Sequence, residues 1–228
     1  MPDRAYDQKD KTTLDCRLQT NVRHVRDALG DSTDLIVKTF ATSDGCRTAL
    51  LYMEGLADKQ FVHDTILEPL MRGERDRPTL NPTEEPDRLK TAKDKLTAGD
   101  VAELADMDHL LIRLLSGDAI VLFDGCDTGL RVGAAGWEDR PVGEPASQAV
   151  VRGPMEAFTE NIVTNAALVR RRIKDPGLRL ETRQIGEVTR TNVSIMYMKG
   201  LADNGVVREV RRRLDRIHID GVLESGYI

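Results

Sequence analysis

Tyr52-Met53-Glu54-Gly55-Leu56-Ala57-Asp58 returns later in the chain as Tyr197-Met198-Lys199-Gly200-Leu201-Ala202-Asp203. A repeat of this kind is an architectural signal, because the same supersecondary unit is being specified twice. The likeness extends upstream, where Thr20-Asn21 and Thr164-Asn165 each open an amphipathic helix. One single-residue gap aligns residues 20–58 with 164–203, and the unit reads as helix, strand, strand, helix.

In the first copy Val22, Val25, Ala28 and Leu29 recur at helical spacing, and Gly30 stops the run. Leu35 to Phe40 and Thr48 to Met53 read as strands around the turn Ser43-Asp44-Gly45. Gly55 and Gly200 end the second strand of each copy, and Asp58 and Asp203 are placed to cap the helix that follows. Val206, Val210, Leu214 and Ile217 form the apolar stripe of the last helix.

Between the copies, residues 72–99 carry Pro78, Pro82 and Pro86 among charged residues, which predicts a mobile insert. Val101 to Leu115 reads as a helix, with Val101, Leu104, Met107, Leu111 and Leu114 or Leu115 on one face. Ala119 to Phe123 and Gly129 to Val132 read as a hairpin, which periodicity alone assigns to neither lobe. The longest helix is expected to begin near Pro154, with Met155, Phe158, Ile162, Ala166, Val169 and Ile173 on its stripe, and to close at Asp175-Pro176-Gly177.

The expected fold is α/β, of α+β character. It has two small lobes, each with helices packed on a small mixed or antiparallel sheet, related by the internal repeat. Residues 1–13 are read as a flexible N-terminus, 14–145 as the first subdomain and 146–228 as the second.

Composition narrows the function. A net charge of −5 with interspersed signs argues against nucleic acid. No apolar stretch approaches the roughly 18–20 residues that span a bilayer, and Met1-Pro2-Asp3-Arg4 lacks an apolar signal region. Three scattered cysteines, Cys16, Cys46 and Cys126, predict neither a disulfide framework nor a Cys-rich metal site, and fit a reducing compartment.

No phosphate loop, dinucleotide fingerprint or nucleophile elbow is present. The four histidines are isolated, with no metal-ligand spacing. No catalytic residue, cofactor or metal is therefore expected, and the chain is not read as an enzyme.

A candidate ligand-binding set comprises Arg152, Gly153, Glu144 and Asn165. Glycine lets backbone approach a ligand, a helix start offers free N–H groups, and Arg152 adds a forked donor suited to a carboxylate. The structural alternative pairs Arg152 with Glu144 or Glu156. Arg170-Arg171-Arg172 and Arg211-Arg212-Arg213 cannot each share one helix face at 100° per residue. Salt bridging between lobes is the expected role of those that reach inward.

Several segments together carry a resemblance. Early ones are Leu50-Leu51-Tyr52-Met53-Glu54-Gly55-Leu56, Ser116-Gly117-Asp118 and Gly136-Trp137-Glu138-Asp139-Arg140. Glu144-Pro145, Val150-Val151-Arg152-Gly153-Pro154 and Phe158-Thr159-Glu160-Asn161 follow, then Thr164-Asn165 with Arg170-Arg171-Arg172-Ile173. Ile185-Gly186 and Ile219-Asp220-Gly221-Val222-Leu223-Glu224-Ser225-Gly226-Tyr227-Ile228 complete the series. From about residue 14 to the end, leaving out the insert, the chain resembles the N-terminal region of spore germination receptor A subunits of the GerA type.

That resemblance implies a part in germinant sensing, signal transduction and receptor assembly, which triggers ion release; a pure docking scaffold is the alternative. It implies a membrane domain of several helices following Ile228, and a full-length protein in the inner spore membrane with this domain soluble on the spore-core side. It also implies B and C subunits and other A subunits as partners, with an amino acid or sugar as the nutrient.

Overall fold

In the computed structural model the described residues are 13–72, 88–136 and 158–228. The chain divides into two compact units. The first takes Met1–Val25 and Ile36–Glu138, the second Arg26–Leu35 and Asp139–Ile228. The boundary expected near residue 145 and the N-terminal residues 1–12 lie outside the described residues.

The first unit is built on a five-stranded sheet in the order β1-β2-β4-β5-β3. Its strands are β1 (Leu35–Ala41), β2 (Arg47–Met53), β3 (Val101–Leu104), β4 (Ala119–Phe123) and β5 (Gly129–Val132). The central β4 is an uninterrupted apolar run, and all five of its residues are buried. It pairs antiparallel with β2, Thr48 facing Phe123 and Leu51 facing Ile120, and antiparallel with β5. The hairpin left unassigned by periodicity thus belongs to the first sheet.

Alternation along the strands sorts side chains between the two faces. Leu50, Val121, Phe123, Leu130 and Val132 share one cluster with Val62, Ile66 and Leu70. Those last residues come from α2 (Lys59–Val62), a π-helical turn (His63–Leu67) and α3 (Glu68–Met71). Helix α5 (Met107–Leu114), with Leu110 and Leu114 fully buried, packs on β2 and β4.

Two expectations for this unit are corrected. Residues 101–115 are not one helix: Val101 to Leu104 pair with Val132 to Gly129, and α5 starts only after Asp106, whose carboxylate accepts from the His109 N–H at 2.7 Å. The apolar spacing imitates one helix although its residues serve different clusters: Val101 packs against the cluster around Phe123, and the buried Leu110, Leu111 and Leu114 of α5 lie outside it. The insert is not featureless over 88–99 either, since α4 (Arg88–Lys95) forms there. Leu89, Ala92 and Leu96 give it one apolar stripe, and Ala92 and Leu96 are buried in the cluster around Phe123.

The second unit repeats the helix, strand, strand, helix order with α6 (Ile162–Arg172), β6 (Leu178–Ile185), β7 (Thr191–Met198) and α7 (Asn204–Leu214). β6 and β7 pair antiparallel at eight positions, from Leu178 with Met198 to Ile185 with Thr191. One sheet face packs Ile185, Val193 and Ile195 against Val210, Leu214, Ile217 and Val222. Residues 32–33 flank β6: the Thr33 N–H donates to the Leu180 carbonyl at 3.0 Å, and the Leu180 N–H donates to Ser32 Oγ at 2.9 Å.

The long helix begins later than expected. Residues 158–161 are not helical, Phe158 is exposed, and the Asn161 side chain accepts from the Val163 and Thr164 N–H groups to cap α6. On α7 the buried valine is Val207 rather than Val206, which is 63% exposed. α1 (Leu18–Leu29) supplies residues to both units. The mixed α/β class, with helices and two antiparallel sheets, is as the sequence predicts.

Candidate functional site

The two copies share capping chemistry in detail. Asp58 accepts from the Gln60 and Phe61 N–H groups, and Asp203 from those of Gly205 and Val206. Gly55 (φ 79°) and Gly200 (φ 86°) occupy the left-handed region just before, where a side chain is strained. The paired asparagines match as well. Asn21 accepts from the Asp15 N–H at 2.9 Å and donates to the Asp15 carbonyl at 2.6 Å. Asn165 does the same to Thr159, at 2.7 Å in each direction.

Asn165, proposed from sequence for ligand binding, therefore has its amide committed to folding the lead-in of α6. Arg152, Gly153 and Glu144 lie outside the described residues.

The arginine runs separate as helix rotation requires. Arg170 is 1% exposed. Its Nε donates to Asp34 Oδ2 at 2.5 Å and its Nη2 to Asp34 Oδ1 at 3.0 Å; Nη2 also reaches Ser32 Oγ at 2.8 Å, and Nη1 the Leu178 carbonyl at 3.1 Å. Every face of the fork is used, the geometry a buried guanidinium needs. Asp34 precedes residue 145 by a long way yet belongs to the second unit, so the pair ties residues 26–35 to α6 and β6 inside that unit.

Arg179 is buried beside it. Its Nη1 donates to the Ala28 and Pro176 carbonyls at 2.7 and 2.8 Å, and burial pulls its pKa down. Sequence reasoning missed Ser32, Asp34 and Arg179, because their partners lie 136 to 151 residues away and no local pattern links them.

On the α7 side of the hairpin, Arg211 bonds Glu181 and Tyr197, and Tyr197 Oη donates to Glu181 Oε1 at 2.7 Å. The Arg211 hydrogen bond holds the Glu181 carboxyl below its ordinary value. Burial, then the bond to Glu181, push the Tyr197 hydroxyl up. Arg212 and Arg213 both bond Glu209 and hold its carboxyl at about 2. A cleft of about 280 Å³ lies near the ends of β6 and α7, lined among others by Arg183, Glu187, Asp215 and His218. The guanidinium lining it is already paired, Arg183 with Asp215.

Among the described residues, His63, Asp64 and Glu68 are the group whose donor atoms cluster closely enough for a metal. His63 and Asp64 are exposed, and Glu68 pairs with Arg72 at 2.6 Å. Among those residues no helix is long and apolar enough to cross a membrane. Among the described residues the arrangement holds segments together through charge-assisted bonds.

The two copies differ in what covers them. The Leu56 carbonyl accepts from the Gly136 N–H at 3.2 Å, the Asp58 N–H donates to the Ala134 carbonyl at 2.9 Å, and Leu56 is 3% exposed. Its counterpart Leu201 is 78% exposed.

Residues 23–228 match the Bacillus/Clostridium GerA spore germination protein family. Spore germination protein KA of Bacillus subtilis (strain 168) is 34% identical over 214 residues, covering 92% of this chain and 38% of that protein. Spore germination protein B1 of the same strain is 30% identical over 221 residues, covering 93% and 43%. The chain thus spans about two fifths of the length of these relatives. Among solved structures, the crystal structure of the N-terminal domain of the A subunit of the Bacillus megaterium spore germinant receptor GerK3 is similar, with a TM-score of 0.72 and 34% identity. The similarity covers 96% of this chain and 79% of that one.

Proposed function

The chain belongs to the GerA spore germination protein family, and from that premise we propose that it transmits a germinant signal within a receptor complex and contributes to that complex's assembly. Its role is mechanical and non-catalytic. The proposed setting is the inner spore membrane, with this region on the spore-core side, alongside B and C subunits and other A subunits. The outcome is ion release.

The observation that carries the reading is the buried pair Arg170–Asp34. It locks residues 26–35 into the second unit, while the chain on either side of that stretch, through Val25 and from Ile36, belongs to the first. A displacement of the second unit therefore acts covalently on α1 and β1. Interconverting arrangements of packed units are a common switching device.

The test uses spores carrying the full-length protein with Arg170→Met, and with Arg170→Met/Asp34→Leu, at receptor levels equalised by immunoblot. Slowed germination in the single variant is expected. An unchanged germination rate in both variants at equal receptor level refutes transmission through this pair.

Direct nutrient binding is the narrower form of the proposal, resting on Arg152, Gly153 and Glu144. Titration calorimetry with amino acids and sugars, repeated on Arg152→Ala, tests it, and absence of heat for every nutrient leaves transmission and assembly. A scaffold reading is favoured by a separate observation, the exposure of Leu201 in the second copy of the repeat where its counterpart Leu56 is buried.

A further inference from the structure

The second copy of the repeat carries a helix face that the first lacks. α7 turns Val207, Val210 and Leu214 toward the core: Val207 and Leu214 are buried, and Val210 packs on the cluster of Ile185, Leu214 and Val222. Arg211 turns inward as well, onto Glu181 and Tyr197. The outer side is basic. Arg208 and Arg212 are four residues apart, about 6 Å along the axis and only about 40° farther round it. Arg213 stands beside Arg212. Arg216 follows in the closing turn, where its N–H donates to the Arg213 carbonyl at 3.1 Å. All four arginines are exposed. Glu209 is the one acidic residue of α7, and it bonds Arg212 and Arg213. Arg208 and Arg216 have no ion pair among the described residues.

The fold does not require these arginines. Counted from the capping aspartates Asp58 and Asp203, Arg208, Arg212 and Arg216 correspond to His63, Leu67 and Met71 of the first copy, and Arg213 to Glu68. There Leu67 is buried in the core cluster. The same supersecondary unit therefore closes without a basic face. In a chain of net charge −5 the four arginines are a local departure. Just before the row, Leu201 and Val206 are 78% and 63% exposed. Aliphatic side chains and arginines thus lie exposed together within residues 201–216.

We propose that this face of α7 docks on an anionic lipid surface. The arginines pair with headgroup phosphates, and Leu201 and Val206 enter the boundary between headgroups and acyl chains. The proposal rests on the reading that the protein works at a membrane, and adds a contact that this region makes itself. Guanidinium groups suit any polyanion. The neighbouring aliphatic side chains decide among polyanions. A nucleic-acid backbone gives them no apolar contact, whereas the headgroup boundary buries them beside the phosphates that meet the arginines.

Cosedimentation of the 228-residue chain with vesicles tests this. Vesicles of equimolar phosphatidylglycerol and phosphatidylcholine are expected to bind it and vesicles of phosphatidylcholine alone are not, with binding weakened by added salt. Arg208→Gln/Arg212→Gln/Arg216→Gln is expected to lower the partition coefficient roughly a hundredfold, at about fivefold per arginine. Leu201→Ser/Val206→Ser is expected to lower it about tenfold. The control Arg17→Gln/Arg23→Gln/Arg47→Gln removes the same charge from exposed positions of the first unit, and little change is expected. Circular dichroism checks that each variant is folded. Arg208→Gln alone, with about a fivefold loss, serves should the triple variant fail to fold.

No binding to the mixed vesicles overturns the inference. So does binding that the control weakens as much as the α7 variant, since bulk charge alone produces that result. Binding to duplex DNA in place of vesicles, lost in the α7 variant, overturns it in favour of a nucleic acid. Each of these outcomes leaves transmission through Arg170 and Asp34 standing, because germination of the Arg170 variants judges it separately.

Discussion

Replacing Arg170 by methionine removes four polar contacts at once: two to Asp34, one to Ser32 and one to the Leu178 carbonyl. Methionine fills much of the stem volume, so the loss is electrostatic rather than a cavity. Asp34, with a side chain 6% exposed, is left as a buried carboxylate without its partner. Breaking a buried pair from one side costs about 3–5 kcal/mol, most of it the penalty of the stranded charge. At about 2–4 °C per kcal/mol for a chain of this size, the midpoint of the transition that includes the second unit falls by roughly 6–20 °C.

Removing both charges tests whether the stranded carboxylate is the cause. Arg170→Met/Asp34→Leu is expected to recover about half or more of the loss, because an apolar pair of similar volume is often neutral against a buried ion pair. Arg170→Lys falls between, since an ammonium cannot hold Asp34, Ser32 and the Leu178 carbonyl together. Urea unfolding followed by far-UV circular dichroism gives the free energies, and hydrogen exchange at Leu178 and Leu180 localises them. A loss below about 1 kcal/mol for Arg170→Met, or a double variant as unstable as the single one, refutes the reasoning.

Asn21→Ala strands the Asp15 N–H and carbonyl and is expected to cost about 1–3 kcal/mol, more than Asn165→Ala, because Asn21 is buried and Asn165 only partly so; equal thermal shifts contradict this. Arg211 lowers the Glu181 pKa in the folded state, so this contribution is fully present above the ordinary glutamate value of 4.5 and is lost as pH falls through the lowered one. Glu181→Gln should flatten the acid limb of stability against pH in that window, and denaturation midpoints measured between neutral and acid pH check it.

What a residue's near neighbours decide was legible from the sequence. The helix, strand, strand, helix unit, the capping aspartates Asp58 and Asp203, and the turn glycines Gly55 and Gly200 all rest on spacing within a few residues. So does the separation of the arginine runs, because 100° per residue forbids a shared face. The ordered motif series also sufficed to identify the family.

The tertiary structure decided whatever depends on pairing across long separations. Val101 to Leu104 became a strand only because β5 offers an edge, and periodicity over residues 101–115 carries no trace of that edge. The short helix Arg88–Lys95 was hidden by the average polarity of its surroundings and formed because Ala92 and Leu96 reach the core around Phe123. The run Arg170-Arg171-Arg172 predicts a salt bridge between lobes from whichever member reaches inward, whereas Arg170 locks residues 26–35 into its own unit across 136 positions of sequence. The twin motifs Gly55-Leu56-Ala57-Asp58 and Gly200-Leu201-Ala202-Asp203 are nearly identical in local chemistry, yet one is buried and the other open. Burial depends on what else folds against a segment, and that is a property of the whole chain rather than of the segment.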